Sequence, residues 1–229
     1  MSATGKTVSP PRNSEAPGTS SKGTVVCVFC GASPGNSPVH LAAARALAHA
    51  FHKHSVTLVY GGGTVGLMGE LARTLVSLSG PSSVHGIIPS PLIALEKGGN
   101  SQISEALYGR TTIVDSMHTR KQLMAKQVLE GGEGSGFVAL SGGYGTIEEL
   151  FEVITWNQLG IHKKGVVVFN VDGYYDGLLQ WIRNAVSAGF ITLGNSGIVV
   201  EATKAEDVVK ELSDYRVAEG RFSLDWAQN

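Results

Sequence analysis

The chain has 229 residues, 42% of them hydrophobic, with 18 basic and 19 acidic side chains, a net charge of −1 and a pI near 6.7. That length and apolar content fit one large domain with a sizeable core. The even charge balance, without a lysine or arginine run, argues against nucleic-acid binding, which needs several cationic phosphate contacts on one surface. No apolar stretch reaches the length of a bilayer span.

Residues 1–23 are rich in Ser, Pro, Gly and Thr and lack an apolar segment, so they read as a disordered tail rather than a secretory signal. Glu15 among the few basic residues argues against a transit peptide. A strand follows near 24–30 and carries both cysteines, Cys27 and Cys30. Residues three apart on a strand face opposite ways, so this Cys-x-x-Cys reads as two core thiols in a reducing cytosol, not a bridge or metal clip. A helix near 39–52 ends in His49, His52 and His54, which have no acidic or thiol neighbour in sequence and are not assigned a metal. Strands near 56–60, 84–88, 111–114, 137–140, 166–170 and 198–201 then alternate with helices near 67–78, 119–129, 147–158, 177–187 and 205–215.

The strands are continuous apolar runs, as expected when both sheet faces are covered. Their alternation with helices predicts an α/β fold: a doubly wound, mostly parallel, Rossmann-like sheet of about seven strands with helices on both faces. One domain spans 24–216, and 217–229 is a C-terminal extension. Ligands of such sheets sit beyond the carboxyl ends of the strands. The helix at 147–159 is apolar on more than one face (Ile147, Leu150, Phe151, Val153, Ile154, Trp156, Leu159), which predicts a second buried surface. A homodimer contact is favoured, with packing on another helix of the same chain as the alternative.

Three glycine-rich turns follow strands. The first, Gly31-Ala32-Ser33-Pro34-Gly35, offers small residues and a hydroxyl, although a plain connecting loop explains it nearly as well. The second contains Gly61-x-Gly63-x-x-Gly66, a formal dinucleotide fingerprint. It follows the second strand instead of the first, and the next strand ends without the acid that would hold a ribose, so NAD is disfavoured. The third, Ser141-Gly142-Gly143-Tyr144-Gly145-Thr146, turns from a strand into a helix and brings bare N–H groups close enough to hold a phosphate. Thr146 with Glu149 also fits a capping box, in which the glutamate serves only its own helix. Arg120 and Lys121 stand near the start of the preceding helix, where the dipole disfavours cations, so a ligand or an acid is expected beside them.

These motifs resemble those of the Lonely Guy family, cytokinin riboside 5'-monophosphate phosphoribohydrolases also labelled lysine-decarboxylase-like. The family's Pro-Gly-Gly-x-Gly-Thr-x-x-Glu turn appears at 141–149, and its Arg-Lys pair after Met-His-x appears at 117–121. Further matches lie at 60–69, 87–89 and 152–162, and the resemblance covers roughly 24–215. It implies catalysis by Arg120 and Glu149. It also implies substrate contacts from Glu96, Lys121, Gly143, Tyr144, Gly145, Thr146, Ile147, Glu148 and Thr155. Two departures stand out: Ser141 replaces the proline, which leaves the turn less stiff, and 130–136 reads as a flexible glycine-rich insertion on the far side of the sheet.

The chemistry so implied is hydrolysis of the N-glycosidic bond of an adenine-type nucleoside 5'-monophosphate, releasing free base and ribose 5-phosphate. Glu149 would stabilise the positive charge developing at the anomeric carbon, and Arg120 would balance the anions. No cofactor or metal is needed, and a cytoplasmic location is expected. A nucleotide or cofactor carrier on the same fold is the main alternative. A lysine decarboxylase would need pyridoxal phosphate on a Schiff-base lysine that no residue pattern identifies.

Overall fold

Valine and isoleucine crowd the strands because β-branched side chains fit a pleated surface that is buried on both sides. In the computed structural model, which describes residues 22–93 and 103–226, seven strands form: β1 Val25–Phe29, β2 Thr57–Tyr60, β3 Val84–Pro89, β4 Arg110–Val114, β5 Gly136–Ala139, β6 Gly165–Phe169 and β7 Val199–Ala202. All pair in parallel, in the order β4-β3-β2-β1-β5-β6-β7. The winding direction therefore reverses between β1 and β5, and the crevice beyond their carboxyl ends is the expected ligand position.

The connecting helices are α1 Pro38–Lys53, α2 Gly66–Ser79, α3 Ser90–Ile93, α4 Glu105–Tyr108, α5 Met117–Glu130, α6 Tyr144–Gln158, α7 Asp176–Ser187 and α8 Ala205–Ser213. On one face of the sheet α1, α2 and α8 bury Leu47, Leu71 and Val208 against Val26, Val28 and Leu58. On the other face α5 and α6 bury Met124, Val128, Leu150 and Val153 against Cys27, Phe29 and Val166. Alternation along β1 sends Cys27 to one core and Cys30 to the other, as their spacing predicts, and both are buried free thiols.

Several details differ from the sequence reading. The short helices α3 and α4 lie where no element was expected. The glycine-rich segment before β5 is tied down: Gly132 N–H donates to Gly23 O at 2.9 Å, Val25 N–H donates to Ser135 Oγ at 2.9 Å, and Lys164 Nζ donates to Gly131 O at 2.8 Å. His54 does have an acidic neighbour, because α8 brings Glu206 to 3.3 Å. His52 bonds Ser79 at 2.8 Å. Among the described residues no helix is long and apolar enough to cross a membrane, and no three His, Cys, Asp or Glu side chains gather to hold a metal ion.

The carboxyl end of α6 is closed by the segment after α8. Arg221 donates to the carbonyls of Asn157 and His162 at 2.6 and 2.5 Å, the Phe222 N–H to Gln158 O at 2.9 Å, and the Trp226 indole to Leu159 O at 2.9 Å. The bonds to Gln158 and Leu159 satisfy carbonyls that a helix end leaves without intrahelical partners, and together the four fix the rear of the helix whose front carries the candidate site.

Candidate active site

The site is built where β3, β5, α5 and α6 converge. Helix α5 is started by Ser116, whose hydroxyl accepts the Thr119 N–H at 3.1 Å. That start places Arg120 one turn in, pointing back beneath the sheet edge. Its Nε donates to Ile87 O at 3.1 Å and its Nη1 to Glu149 Oε1 at 2.7 Å. Both side chains are almost completely enclosed, at 7% and 6% exposure, so this is a buried ion pair and not a surface bridge. Burial raises the Glu149 carboxyl above its ordinary 4.5, and the opposing charge of Arg120 only partly offsets this. Next to it, Lys121 Nζ bridges Glu148 Oε1 at 2.5 Å and Glu152 Oε2 at 2.7 Å. The cations disfavoured at the start of α5 are thus answered by acids from α6.

The capping-box reading of Glu149 is overturned. Helix α6 begins at Tyr144, with Gly143 as its cap and no side chain capping it, so Thr146 already lies inside the first turn. Glu149 is drawn instead to Arg120, since a buried guanidinium left unpaired costs several kcal/mol, roughly 3–5 by analogy with other broken buried pairs. The first intrahelical bond at this end runs from the Ile147 N–H to Gly143 O at 3.2 Å. The N–H groups of Tyr144, Gly145 and Thr146 precede it and have no carbonyl within the helix to meet, the arrangement that favours an anion. Gly142 has to be glycine, because a Cβ there would lie 2.1 Å from Thr146 Oγ1.

The dinucleotide fingerprint serves another purpose. At the start of α2 the Leu67 and Met68 N–H groups both donate to Gly31 O, at 3.0 and 3.3 Å, so protein already occupies the position a pyrophosphate would take. Gly61 makes room for the site: a Cβ there would lie 2.0 Å from Arg120 Nη2. The turn after β1 proves to be more than a connection. With Ser141, Gly142, His40 and Tyr174 it walls a crevice of about 780 Å³ at the reversal point between β1 and β5.

The other expected residues fall as follows. Tyr144 stands almost wholly exposed at the mouth of α6, while Thr146 is buried. Ile147 is half-buried on the α6 face toward the second core. Thr155 is not gathered with the rest: it lies farther along α6 and lines a separate cleft of about 160 Å³ with Phe151, Ile154 and Trp181. Glu96 lies outside the described residues. Sequence reasoning missed Ile87, Gly61, His40 and Tyr174. The match at 87–89 and the glycines at 61–63 were the available signals for the first two.

Comparison with known proteins adds the family. A family model described as "Possible lysine decarboxylase" matches residues 68–212. A cytokinin riboside 5'-monophosphate phosphoribohydrolase of Arabidopsis thaliana is 44% identical over 190 residues, covering 83% of this chain and 83% of that protein. The chain belongs to the Lonely Guy family. A "Bifunctional cytokinin biosynthesis protein" of Fusarium pseudograminearum is 54% identical over 209 residues, which is 90% of this chain but only 43% of that longer relative.

Among solved structures, the molybdenum cofactor binding protein of Rippkaea orientalis superposes with a TM-score of 0.58 at 19% identity, covering 84% of this chain and 97% of its own. The Moco carrier protein of Chlamydomonas reinhardtii gives 0.57 at 19% identity, covering 83% and 98%. At that identity the likeness shows the fold alone, which these proteins share with this Lonely Guy chain. Neither Lys121 nor Lys164 fits the decarboxylase label. A Schiff-base lysine needs a depressed pKa, whereas Lys121, which burial alone would lower, is raised by the hydrogen bonds it donates to Glu148 and Glu152. Lys164, which burial does lower, donates to Gly131 and Gly132 at the opposite edge of the sheet.

Proposed function

We propose that this protein hydrolyses the N-glycosidic bond of cytokinin or adenine nucleoside 5'-monophosphates, giving the free base and ribose 5-phosphate. The observation that carries the reading is the buried Arg120–Glu149 pair, held one helical turn from the open amides of α6. Those amides, from Gly143 to Thr146, receive the phosphate, aided by the helix dipole. Glu149 faces the ribose, with Oε1 committed to Arg120 and Oε2 assigned to the anomeric carbon or the attacking water. As the C–N bond breaks, its electrons leave with the base and positive charge spreads over the anomeric carbon and ring oxygen. A fixed carboxylate in a dry site stabilises that charge strongly. Water adds its oxygen and one hydrogen to the anomeric carbon as the new hydroxyl, and its other proton ends on the departing base. Phosphate binding, remote from the scissile bond, fixes the reacting geometry.

Arg120 holds Glu149 in place and favours its ionised form against the larger opposing effect of burial. Lys121 and Glu148 flank the turn, and Glu96 is kept as a substrate contact on family resemblance. Thr155, on its separate cleft, is assigned to a site shared between two copies of the chain. Phe151 packs edge-on to Trp181 at 5.5 Å, so the second apolar face of α6 is partly covered by α7. Trp181 stays 51% exposed, with Phe190 at 87% and Leu193 at 80%, an apolar surface suited to a homodimer. The two free buried thiols accord with a cytoplasmic location. The carrier alternative is supported by likeness of fold alone.

The test is incubation with isopentenyladenosine monophosphate, AMP and isopentenyladenosine, followed by chromatographic separation of the released bases. The reading predicts cleavage of nucleotide and far slower cleavage of the nucleoside. Equal cleavage of both, or of neither, contradicts it.

A further inference from the structure

The turn assigned to the phosphate has its carbonyls held from behind, one after another. Leu140 O accepts the Tyr175 hydroxyl at 2.7 Å, Ser141 O accepts the Gly31 N–H at 2.9 Å, and Gly142 O accepts the Tyr174 hydroxyl. Ser141 Oγ meets His40 Nδ1 at 3.0 Å, and the His40 ring lies edge-on to Tyr174 at 5.7 Å. A trans peptide is planar, so its N–H points opposite to its carbonyl. With Gly142 O turned onto the Tyr174 phenol, the Gly143 N–H must point away from it.

The three bonds are not equivalent. Tyr175 is buried and the Gly31 amide belongs to the sheet edge, so the core requires both contacts in any case. Tyr174 is 47% exposed and walls the crevice between β1 and β5, where water could satisfy its hydroxyl equally well. The peptide it holds has glycine on both sides, the pairing that rotates at least steric cost. A half-turn of that peptide would present a carbonyl where an anion needs an N–H. Ser141, standing where the family pattern has proline, adds no covalent restraint of its own.

We infer that Tyr174 is a positioning residue for the anion turn: its phenol locks the Gly142–Gly143 peptide so that the Gly143 N–H is offered to the substrate phosphate, and His40 braces its ring. The inference rests on the reading of this turn as the phosphate site. Tyr174→Phe removes the hydroxyl and keeps the ring contacts with His40 and Tyr175. The expected result is a rise of about tenfold in KM for the nucleoside 5'-monophosphate, the scale of one hydrogen bond to a charged group. The Kd of ribose 5-phosphate, measured by calorimetry, rises equally, while the KM of the unphosphorylated nucleoside changes less than about twofold. An unchanged KM and Kd overturn the inference, and a fall in Tm with both constants intact would mark the bond as merely structural. If the unaltered protein fails to bind ribose 5-phosphate, the phosphate reading itself fails and takes this inference with it.

Discussion

Glu149→Gln removes a charge with almost no change of shape, and the geometry sets its two consequences apart. The glutamine amide oxygen can still accept from Arg120 Nη1, now 2.7 Å from the carboxylate, but the guanidinium is left buried without a counter-charge. Breaking a buried pair costs about 3–5 kcal/mol, and the retained acceptor places this case near 3. For a domain of this size each kcal/mol moves the melting point by about 2–4 °C, so a loss of roughly 6–12 °C is expected by calorimetry. Loss of a preorganised electrostatic stabiliser lowers kcat by about 10²–10³. Released base is followed chromatographically at saturating nucleotide and 25 °C, with circular dichroism confirming that the variant remains folded. Ribose 5-phosphate affinity stays within about threefold, since the turn amides are untouched. The reasoning is refuted if kcat falls less than tenfold, or if phosphate affinity collapses along with it.

Other outcomes follow from the same geometry. Gly61→Ala places a Cβ in the space of the Arg120 guanidinium and should lower kcat at least about tenfold without touching a reacting group, checked by the same assay. Because burial raises the Glu149 carboxyl, the acidic limb of the kcat–pH profile should lie above 4.5, and a limb at or below that value contradicts the assignment. His162 is enclosed between the Val153 carbonyl and the Lys164 N–H, and burial pushes its pKa down from 6.5 to about 4. The folded state therefore favours the neutral ring: its contribution is complete above pH 6.5 and is lost as the pH falls toward 4, roughly 3 kcal/mol in denaturant titrations. His162→Gln should flatten that decline. Trp181→Glu should convert a dimer to a monomer by light scattering; an unaltered mass would remove α6 and α7 from the interface.

Most of the sheet was legible because its central strands are apolar runs bounded by turn residues; the edge strand Arg110–Val114 is more polar and more exposed. The α5 cations were legible as a problem, since Arg120 and Lys121 oppose the helix dipole, although only folding showed which acids answer them. The start of α6 was misjudged for a physical reason. Thr146 and Glu149 have capping-box spacing, but the glutamate gains more from a buried arginine brought from 29 residues away than from its own helix end. Gly61 was visible only as part of a glycine cluster and Tyr174 was opaque, because their roles depend on groups distant in the chain: the Arg120 side chain for one and, 32 residues back, the Gly142 carbonyl for the other. The His54 contact was missed likewise, its partner Glu206 lying 152 residues ahead.

A crystal structure with AMP bound to the Glu149→Gln protein is the most direct measurement. It should show phosphate oxygens accepting from the amides between Gly143 and Thr146, with residue 149 against the anomeric carbon of the ribose. Phosphate lodged elsewhere, or residue 149 facing only Arg120 and remote from the sugar, would contradict the assignment of this site.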